Sequence, residues 1–202
     1  DIGDVLHVAL IADGNRRWAA EHGKASFYGH KAGYDTVKSI VSTAKEIGLK
    51  YLTLFCFSTE NQKRSDEEKS YLFDLFEKAV KENIEDFKKN NIKLKFIGDL
   101  SYFSESIMKL ALDAEEITSD CDSMTFVLAL NYGGRLDIVN AAKKIASKIK
   151  KGIIDVDDID SEYFSSNLYT SGIPDPDIII RTGGDYRISN FLLWQMAYSE
   201  LF

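Results

Sequence analysis

Residues 7–18, which read HVALIADGNRRW, carry the clearest indication of the fold class. An apolar run over residues 7–12 is followed at once by a polar loop and then by a stretch with helical spacing. A short apolar run that gives way to a helical period is typical of a βαβ series with a mostly parallel sheet. Because ligands bind outside the carboxyl ends of parallel strands, the loop 13–17 is a candidate binding loop.

The same alternation recurs along the chain. Runs at 51–57, 92–97, 124–130 and 177–180 predict further strands, and a short one is predicted near 191–194. Apolar residues at three- and four-residue steps predict helices around 34–47, 72–87, 107–114 and 138–149, with Asp66 as N-cap of the second and Gly48 ending the first. We therefore expect an α/β fold: a single domain over residues 1–202 with a mostly parallel sheet of about six strands flanked by helices.

Composition excludes several classes of protein. A formal charge of -7 over 202 residues argues against nucleic-acid binding, which needs clustered positive charge. Cys56 and Cys121 show no ligand spacing, so neither a disulfide framework nor a zinc site is expected. No apolar run is long enough to span a membrane, and we expect a cytoplasmic protein that is at most membrane-peripheral. The chain begins without Met and stops within an apolar segment, so we expect terminal residues to be missing.

Arginine and lysine are distributed differently. The arginines all fall in loops that follow predicted strands, whereas the nineteen lysines lie largely on predicted helix faces: Arg16, Arg17, Arg64, Arg135, Arg181 and Arg187. A guanidinium group grips phosphate oxygens bidentately, so this segregation predicts a diphosphate site. The alternative is that loops are polar in any case and that Arg135, at a helix start, pairs with a nearby acid.

Asp13 is the exception among these cationic loops. A carboxylate would repel a diphosphate unless a hard cation bridged the two, and Mg²⁺ is commonly bound by one or two carboxylates together with substrate phosphates. The alternative role for Asp13 is a helix N-cap. His30, at the start of the next helix, is a candidate donor to a phosphate oxygen, although a surface or capping role would also fit.

Five separated blocks resemble the cis-prenyltransferases, the family that includes undecaprenyl diphosphate synthase. They are HVALIADGNRRW at 7–18, GHKAG at 29–33, FSTEN at 57–61, NYGGR at 131–135 and RTGGDYRISNFLLWQ at 181–195. Five blocks in the family's order are a far more specific signal than one short motif. The chain lacks the DDxxD motifs of the all-helical trans-prenyltransferases.

The resemblance implies a Mg²⁺-dependent enzyme that condenses isopentenyl diphosphate with an allylic diphosphate, usually farnesyl diphosphate, into a long-chain polyprenyl diphosphate. It implies that Asp13 is catalytic and holds Mg²⁺, with Glu200 as a second metal-associated acid acting across a homodimer interface. The allylic diphosphate would be bound by Gly14, Asn15, Arg16, Arg17, Trp18 and His30. Isopentenyl diphosphate would be held by Arg181, Arg187 and Ser189. A mobile closing segment would comprise Ser58, Thr59, Glu60, Asn61 and Arg64, with Asn61 catalytic in proton transfer.

The growing hydrocarbon needs an apolar tunnel, for which the aromatic helix at residues 71–87 is the predicted wall, with ordinary packing on the sheet as the alternative. Release of so apolar a product predicts peripheral contact with a membrane or detergent. Some residues depart from the family's pattern: Ser26 replaces an arginine, Gln62 a tryptophan, Ala12 a methionine and Asp185 a glutamate. The family's carboxyl-terminal segment is expected to be missing.

Two other functions compete with this interpretation. One is a catalytically silent, prenyl-diphosphate-binding regulatory subunit, which would be expected to lose Asp13, Asn61 and the loop 181–189. The other is a nucleotide or sugar-phosphate enzyme on a Rossmann-like sheet. It is disfavoured because no acid follows the second strand and the first loop is not glycine-rich.

Overall fold

The structure is a computed structural model that describes residues 3–202. Its strands are β1 (His7–Ile11), β2 (Tyr51–Ser58), β3 (Ile92–Ile97), β4 (Met124–Tyr132), β5 (Ile178–Arg181) and β6 (Glu200–Leu201). They form one sheet in the order β3-β4-β2-β1-β5-β6, and every neighbouring pair is parallel. The α/β fold with a parallel sheet of six strands is thus confirmed.

The helices cover the sheet on both faces, as parallel strands require. They are α1 (Asn15–Glu21), α2 (Ser26–Glu46), α3 (Asp66–Lys89), α4 (Glu105–Ile117), α5 (Gly134–Lys150) and α6 (Ser161–Ser165). Short 3₁₀ turns lie at Thr59–Lys63, Leu100–Tyr102 and Val156–Asp158. The predicted helix stop is confirmed, because Gly48 follows α2 with φ +85° and its N–H donates to the carbonyl of Lys45. Within residues 3–202 no helix has the length and apolarity needed to cross a membrane.

Two local predictions were wrong. The N-cap of α3 is Ser65 rather than Asp66: Ser65 is the last residue with extended backbone, and its Oγ accepts a hydrogen bond from the N–H of Glu68. Residues 191–194 do not form a strand, because the neighbouring backbone is left-handed, with φ 62° at Asn190 and 44° at Leu192. The apolar run there is buried as a compact turn, and the sixth strand is β6.

The core lies on both sides of the sheet because successive strand residues point to opposite faces. On one face, Leu10, Leu52 and Leu54 pack with residues of α2 and α3. On the other, Ala9 and Ile11 pack with β4 and with the compact turn near residue 191. The loops after β4, β2, β1 and β5 therefore emerge side by side at one edge of the sheet.

Candidate active site

The loop after β1 is fixed to the loop after β5. The Asp13 N–H donates to Oγ1 of Thr182 (3.0 Å), and that hydroxyl donates to the Asp13 carbonyl (2.7 Å). Gly14 is the N-cap of α1, with φ +97° and no side-chain capping bond, so the alternative role of Asp13 as N-cap is wrong. Instead, Oδ1 of Asp13 accepts from the N–H of Gly14 at 2.7 Å. The Asp13 carboxylate thus faces the edge of the sheet where the loops meet.

Arg181, the last residue of β5, holds this carboxylate. Its Nη2 donates to Oδ2 of Asp13 (2.7 Å), and its Nη1 donates to the carbonyl of Arg187 (2.6 Å) and to Oγ of Ser189 (2.7 Å). The Arg181 side chain is only 9% exposed, and its Nε has no hydrogen-bond partner among the described residues. The buried guanidinium of Arg181 therefore contacts Asp13, the candidate metal ligand, and also Arg187 and Ser189, the other residues predicted to bind isopentenyl diphosphate.

A second acid, Asp185, is held by two arginines. Its Oδ2 accepts from Nη1 of Arg17 (2.8 Å) and from Nη2 of Arg187 (2.9 Å). The hydrogen bond from Arg17 lowers the pKa of the Asp185 carboxyl, and the charge of Arg187 adds to this effect. Arg17 also donates to the carbonyl of Gly183 at 2.6 Å. Asp185, a departure from the family's pattern, therefore orients Arg17 and Arg187.

The loop after β2 is the predicted closing segment, and it caps itself. The Ser58 N–H donates to Oδ1 of Asn61 (3.1 Å), and the Asn61 N–H donates to Oγ of Ser58 (3.3 Å). Nδ2 of Asn190 donates to Glu60 at 3.0 Å. Nε2 of Gln62 donates to the carboxamide of Asn131, a buried residue near the end of β4, at 2.7 Å. The segment is therefore tied to the loop after β5 and to strand β4.

His30 and Arg64 are brought together by Glu68. Oε1 of Glu68 lies 3.3 Å from Nε2 of His30 and 3.2 Å from Nη1 of Arg64. Burial lowers the pKa of His30, the bond with Glu68 partly opposes that effect, and Arg64 adds to it. Burial therefore favours the neutral form of the imidazole in the free protein.

These side chains surround a cavity of about 960 Å³, here called the polar pocket. Most of the predicted site residues line it: Asp13, Gly14, Asn15, Arg16, Arg17, His30, Ser58, Glu60, Asn61, Arg64, Arg181 and Ser189. Of the predicted and described residues, Trp18, Thr59, Arg187 and Glu200 lie outside its walls. Trp18 stacks on His22 with ring centroids 4.3 Å apart, and Glu200 lies on the edge strand β6.

Sequence reasoning gave no role to two polar residues of these walls, Lys24 and Asn190. Asn190 belongs to the block 181–195, and its left-handed backbone (φ 62°) is a conformation that asparagine tolerates. Its Oδ1 accepts from the N–H of Arg135 (2.9 Å) while its Nδ2 binds Glu60, so it joins the loops after β2, β4 and β5. The signal for Asn190 in the sequence was an asparagine inside the arginine-containing block 181–195.

A second cavity, of about 350 Å³, lies between the sheet and helices α2 and α3; it is called the apolar cavity. Its wall on α3 includes Leu72, Phe73, Leu75, Phe76, Ala79, Val80 and Phe87, which is where the tunnel wall was predicted. The two cavities meet, since both are lined by Ala12, Asn15, His30, Phe55, Cys56 and Leu72. Burial raises the pKa of the Cys56 thiol to about 12.

The polar pocket does not contain a complete metal cage. Within residues 3–202 no three His, Cys, Asp or Glu side chains are grouped so as to hold a metal ion. Mg²⁺ is usually held by one or two carboxylates and by substrate phosphates rather than by an all-protein cage. Two carboxylates line the pocket, Asp13 and Glu60, among cationic groups suited to phosphate, and this is the donor set expected for such shared binding. The residues therefore fit Mg²⁺ that arrives with a diphosphate.

Comparisons with known proteins agree with this geometry. Residues 11–202 match the prenyltransferase family model described as "Putative undecaprenyl diphosphate synthase". The chain therefore belongs to the cis-prenyltransferase family, whose members transfer prenyl groups.

Individual relatives make the similarity concrete. An isoprenyl transferase of Clostridium perfringens is 47% identical over 194 residues, covering 96% of this chain and 77% of the relative. A farnesyl-diphosphate-specific ditrans,polycis-undecaprenyl-diphosphate synthase of Haemophilus influenzae is 46% identical over 196 residues, covering 97% and 82%. Lavandulyl diphosphate synthase from Lavandula x intermedia, solved with dimethylallyl diphosphate, superposes with a TM-score of 0.95 at 37% identity, covering 100% of this chain and 87% of that one.

Proposed function

We propose that this chain condenses isopentenyl diphosphate with farnesyl diphosphate, in the presence of Mg²⁺, to form a long-chain polyprenyl diphosphate. The observation that carries the proposal is that an arginine-lined polar pocket opens directly into an apolar cavity. A prenyl diphosphate has the same division, a highly charged head and a hydrocarbon tail. The farnesyl-specific relative from Haemophilus influenzae supports the choice of allylic substrate.

The two diphosphates are assigned to different sides of the polar pocket. Arg16, Arg17, His30 and the N–H groups of the loop after β1 would bind the allylic diphosphate, because His30 and Asn15 also line the apolar cavity that takes its tail. Arg181 and Ser189, with Arg187 behind them, would bind isopentenyl diphosphate. Each charge-assisted bond to a phosphate oxygen is stronger than a neutral one, and bidentate bonds also fix orientation.

Asp13 would hold Mg²⁺ together with diphosphate oxygens. When bound, the metal would neutralise the charge that develops on the leaving diphosphate. Arg16 and Arg17 add positive charge at the same group. The carbon–oxygen bond of the allylic substrate breaks with its electron pair leaving on the diphosphate, the double bond of isopentenyl diphosphate forms the new carbon–carbon bond, and one proton is lost.

Asn61 is proposed to assist the loss of that proton. Its Oδ1 is engaged by the N–H of Ser58, which orients the carboxamide in the wall of the polar pocket. The rest of the closing segment, Thr59, Glu60 and Arg64, would order around the bound substrates, with Glu60 and Arg64 already held by Asn190 and Glu68. Trp18 remains a predicted contact of the allylic substrate, although it lies outside the pocket walls.

A homodimer and peripheral membrane contact also remain predictions, as does a cytoplasmic location. Exposed Tyr198, Leu201 and Phe202 on and beside the edge strand β6 support an interface between copies there. Glu200 lies on the same strand, so its predicted role in the partner's metal site would need that interface.

The test is incubation with Mg²⁺, farnesyl diphosphate and radiolabelled isopentenyl diphosphate, with label counted in long-chain lipid. Incorporation should occur, should stop when EDTA removes the metal, and should fall by at least about 100-fold in Asp13→Ala. Asp113→Ala is the matched control. Asp113 is a half-exposed residue of α4 that pairs with Lys109 on the same helix, and it does not line the polar pocket. A catalytically silent subunit would incorporate no label, and undiminished incorporation by Asp13→Ala would refute the metal assignment.

A further inference from the structure

Helices α2 and α3 form one wall of the apolar cavity, and polar bridges join them at several points along their length. His30 meets Glu68 near the start of both helices (3.3 Å). Asn83 meets Tyr34 farther along (2.6 Å). Lys45, in the last turn of α2, donates to Asn90, just after α3, at 3.0 Å.

The middle bridge, between Tyr34 and Asn83, has mostly apolar neighbours. Both Tyr34 and Asn83 line the apolar cavity, where their neighbours on the same two helices include Val37, Ala79 and Val80. Asn83 is only 6% exposed, and its Nδ2 donates to Oη of Tyr34 and to the carbonyl of Ala79, both at 2.6 Å. A buried carboxamide is costly unless its hydrogen bonds are made, so this bridge resists opening.

Beyond the bridge, the lining of the cavity changes. The wall contributed by the last turns of the two helices adds the polar residues Ser42, Lys45, Asp86 and Asn90 to apolar Val41 and Phe87, whereas the part nearer the polar pocket is lined by Leu72, Phe73 and Phe76. A hydrocarbon pushed into the far end would strip water from Asp86 and from the Lys45–Asn90 pair, which is costly for charged groups. The polar pocket therefore bounds the apolar cavity on one side, and charged groups enter its lining on the other.

From this arrangement we propose that the Tyr34–Asn83 bridge is the element that limits the length of the product. The inference rests on the proposed function, because it needs a chain that grows from the polar pocket into the apolar cavity. The tail advances between the sheet and the two helices until it meets the bridge, which holds α2 and α3 together across its path. Further addition then requires the bridge to break, so growth stops and the product leaves.

Two substitutions test the bridge. Tyr34→Phe removes only the hydroxyl, and Asn83→Leu replaces the carboxamide with an apolar group of similar size. Tyr71→Phe is the matched control: the Tyr71 hydroxyl also joins α3 to α2, by donating to the carbonyl of Phe27 at 3.2 Å, but Tyr71 does not line the apolar cavity. Products made from farnesyl diphosphate and radiolabelled isopentenyl diphosphate are separated by chain length, and the rate of the first addition is measured separately.

We expect the longest product of Tyr34→Phe and of Asn83→Leu to gain at least one isoprene unit, while the rate of the first addition stays within about twofold of wild type. The double variant should give the same shift as the larger single one, because both remove the same bond. Tyr71→Phe should leave the product distribution unchanged. Unchanged or shorter products from active Tyr34→Phe would overturn this inference alone. A wild-type chain that incorporates no label would instead overturn the proposed function.

Discussion

The polar pocket and the apolar cavity share six wall residues but are built in opposite ways. Much of the pocket is made of loops that contain left-handed backbone, at Gly14, Ser189 and Asn190, held in place by side-chain hydrogen bonds. The cavity is made of regular helix and strand, with shape set by packing. The chemistry of the site therefore depends on the identity of single residues, whereas the volume available to a hydrocarbon depends on how the helices pack against the sheet.

The largest expected effect tests the pocket through Arg181. Arg181→Ala removes a buried guanidinium that bonds Asp13, Arg187 and Ser189. Loss of one partner of a buried charged pair costs about 2–5 kcal/mol, so kcat/KM for isopentenyl diphosphate should fall by roughly 30-fold or more. Arg135→Ala is the control, because Arg135 is exposed and lies outside the pocket walls. Equal losses in both variants, measured by steady-state kinetics, would contradict a special role for the pocket.

A second prediction compares alanine at Gly183 with alanine at Gly184, which separates the cost of left-handed backbone from the cost of a steric contact. Gly183 and Gly184 have φ of +84° and +75°, so alanine at either should cost about 1–2 kcal/mol of unfolding free energy. A Cβ on Gly183 would also lie 2.7 Å from Nη2 of Arg17 and 2.9 Å from the carbonyl of Asp13, whereas one on Gly184 meets nothing within 4 Å. Gly183→Ala should therefore lose about 10-fold more activity than Gly184→Ala. Urea unfolding measures the loss of stability, and steady-state kinetics measure the loss of activity. Equal activities of the two variants would refute the prediction that a Cβ at residue 183 displaces Asp13.

His30, which lines both regions, gives a smaller effect through pH. Because burial lowers the pKa of the folded imidazole below that of the unfolded one, its contribution to stability is complete above pH ~6.5 and declines as the pH falls below it. The slope cannot exceed about 1.4 kcal/mol per pH unit, and His30→Gln should remove it. Inorganic pyrophosphate in the polar pocket favours the imidazolium and should reduce the decline. Thermal unfolding between pH 8 and 5.5 tests this, and a slope unchanged by both treatments would exclude His30 as the source.

The smallest effect concerns the apolar cavity. Each buried CH₂ of the product contributes on the order of 0.8 kcal/mol, so the long tail should leave slowly. A nonionic detergent should then raise steady-state turnover a few-fold and leave the rate of a single addition unchanged. Equal turnover with and without detergent would show that release does not limit the rate.

Much of the pocket could be predicted from the sequence. Residues 13–17, the segment 58–64 and Arg181 follow predicted strands, and parallel strands bring such loops to one edge. The family blocks then indicated roles for these residues. Trp18 shows the limit: adjacent positions on α1 point in different directions, so Arg17 lies in the pocket wall while Trp18 stacks on His22.

The remaining features depend on tertiary contacts that no local pattern encodes. The run at 191–194 has strand-like composition, but hydrogen bonds from Gly134 and Arg135 to Asn190 hold the preceding backbone in a left-handed turn. The Tyr34–Asn83 bridge joins residues 49 positions apart, and Asn83 alone reads as an ordinary polar residue on α3. Glu68 likewise meets His30 only because α2 and α3 lie side by side.

Cys56, at the junction of the two cavities, has a consequence for side reactions. Because burial raises its pKa to about 12, the thiol stays protonated at neutral pH. A thiolate there would be a competing nucleophile, able to capture an electrophilic allylic carbon and alkylate the protein irreversibly. Burial thus keeps the sulfur at this junction in its protonated form, which is a poor nucleophile.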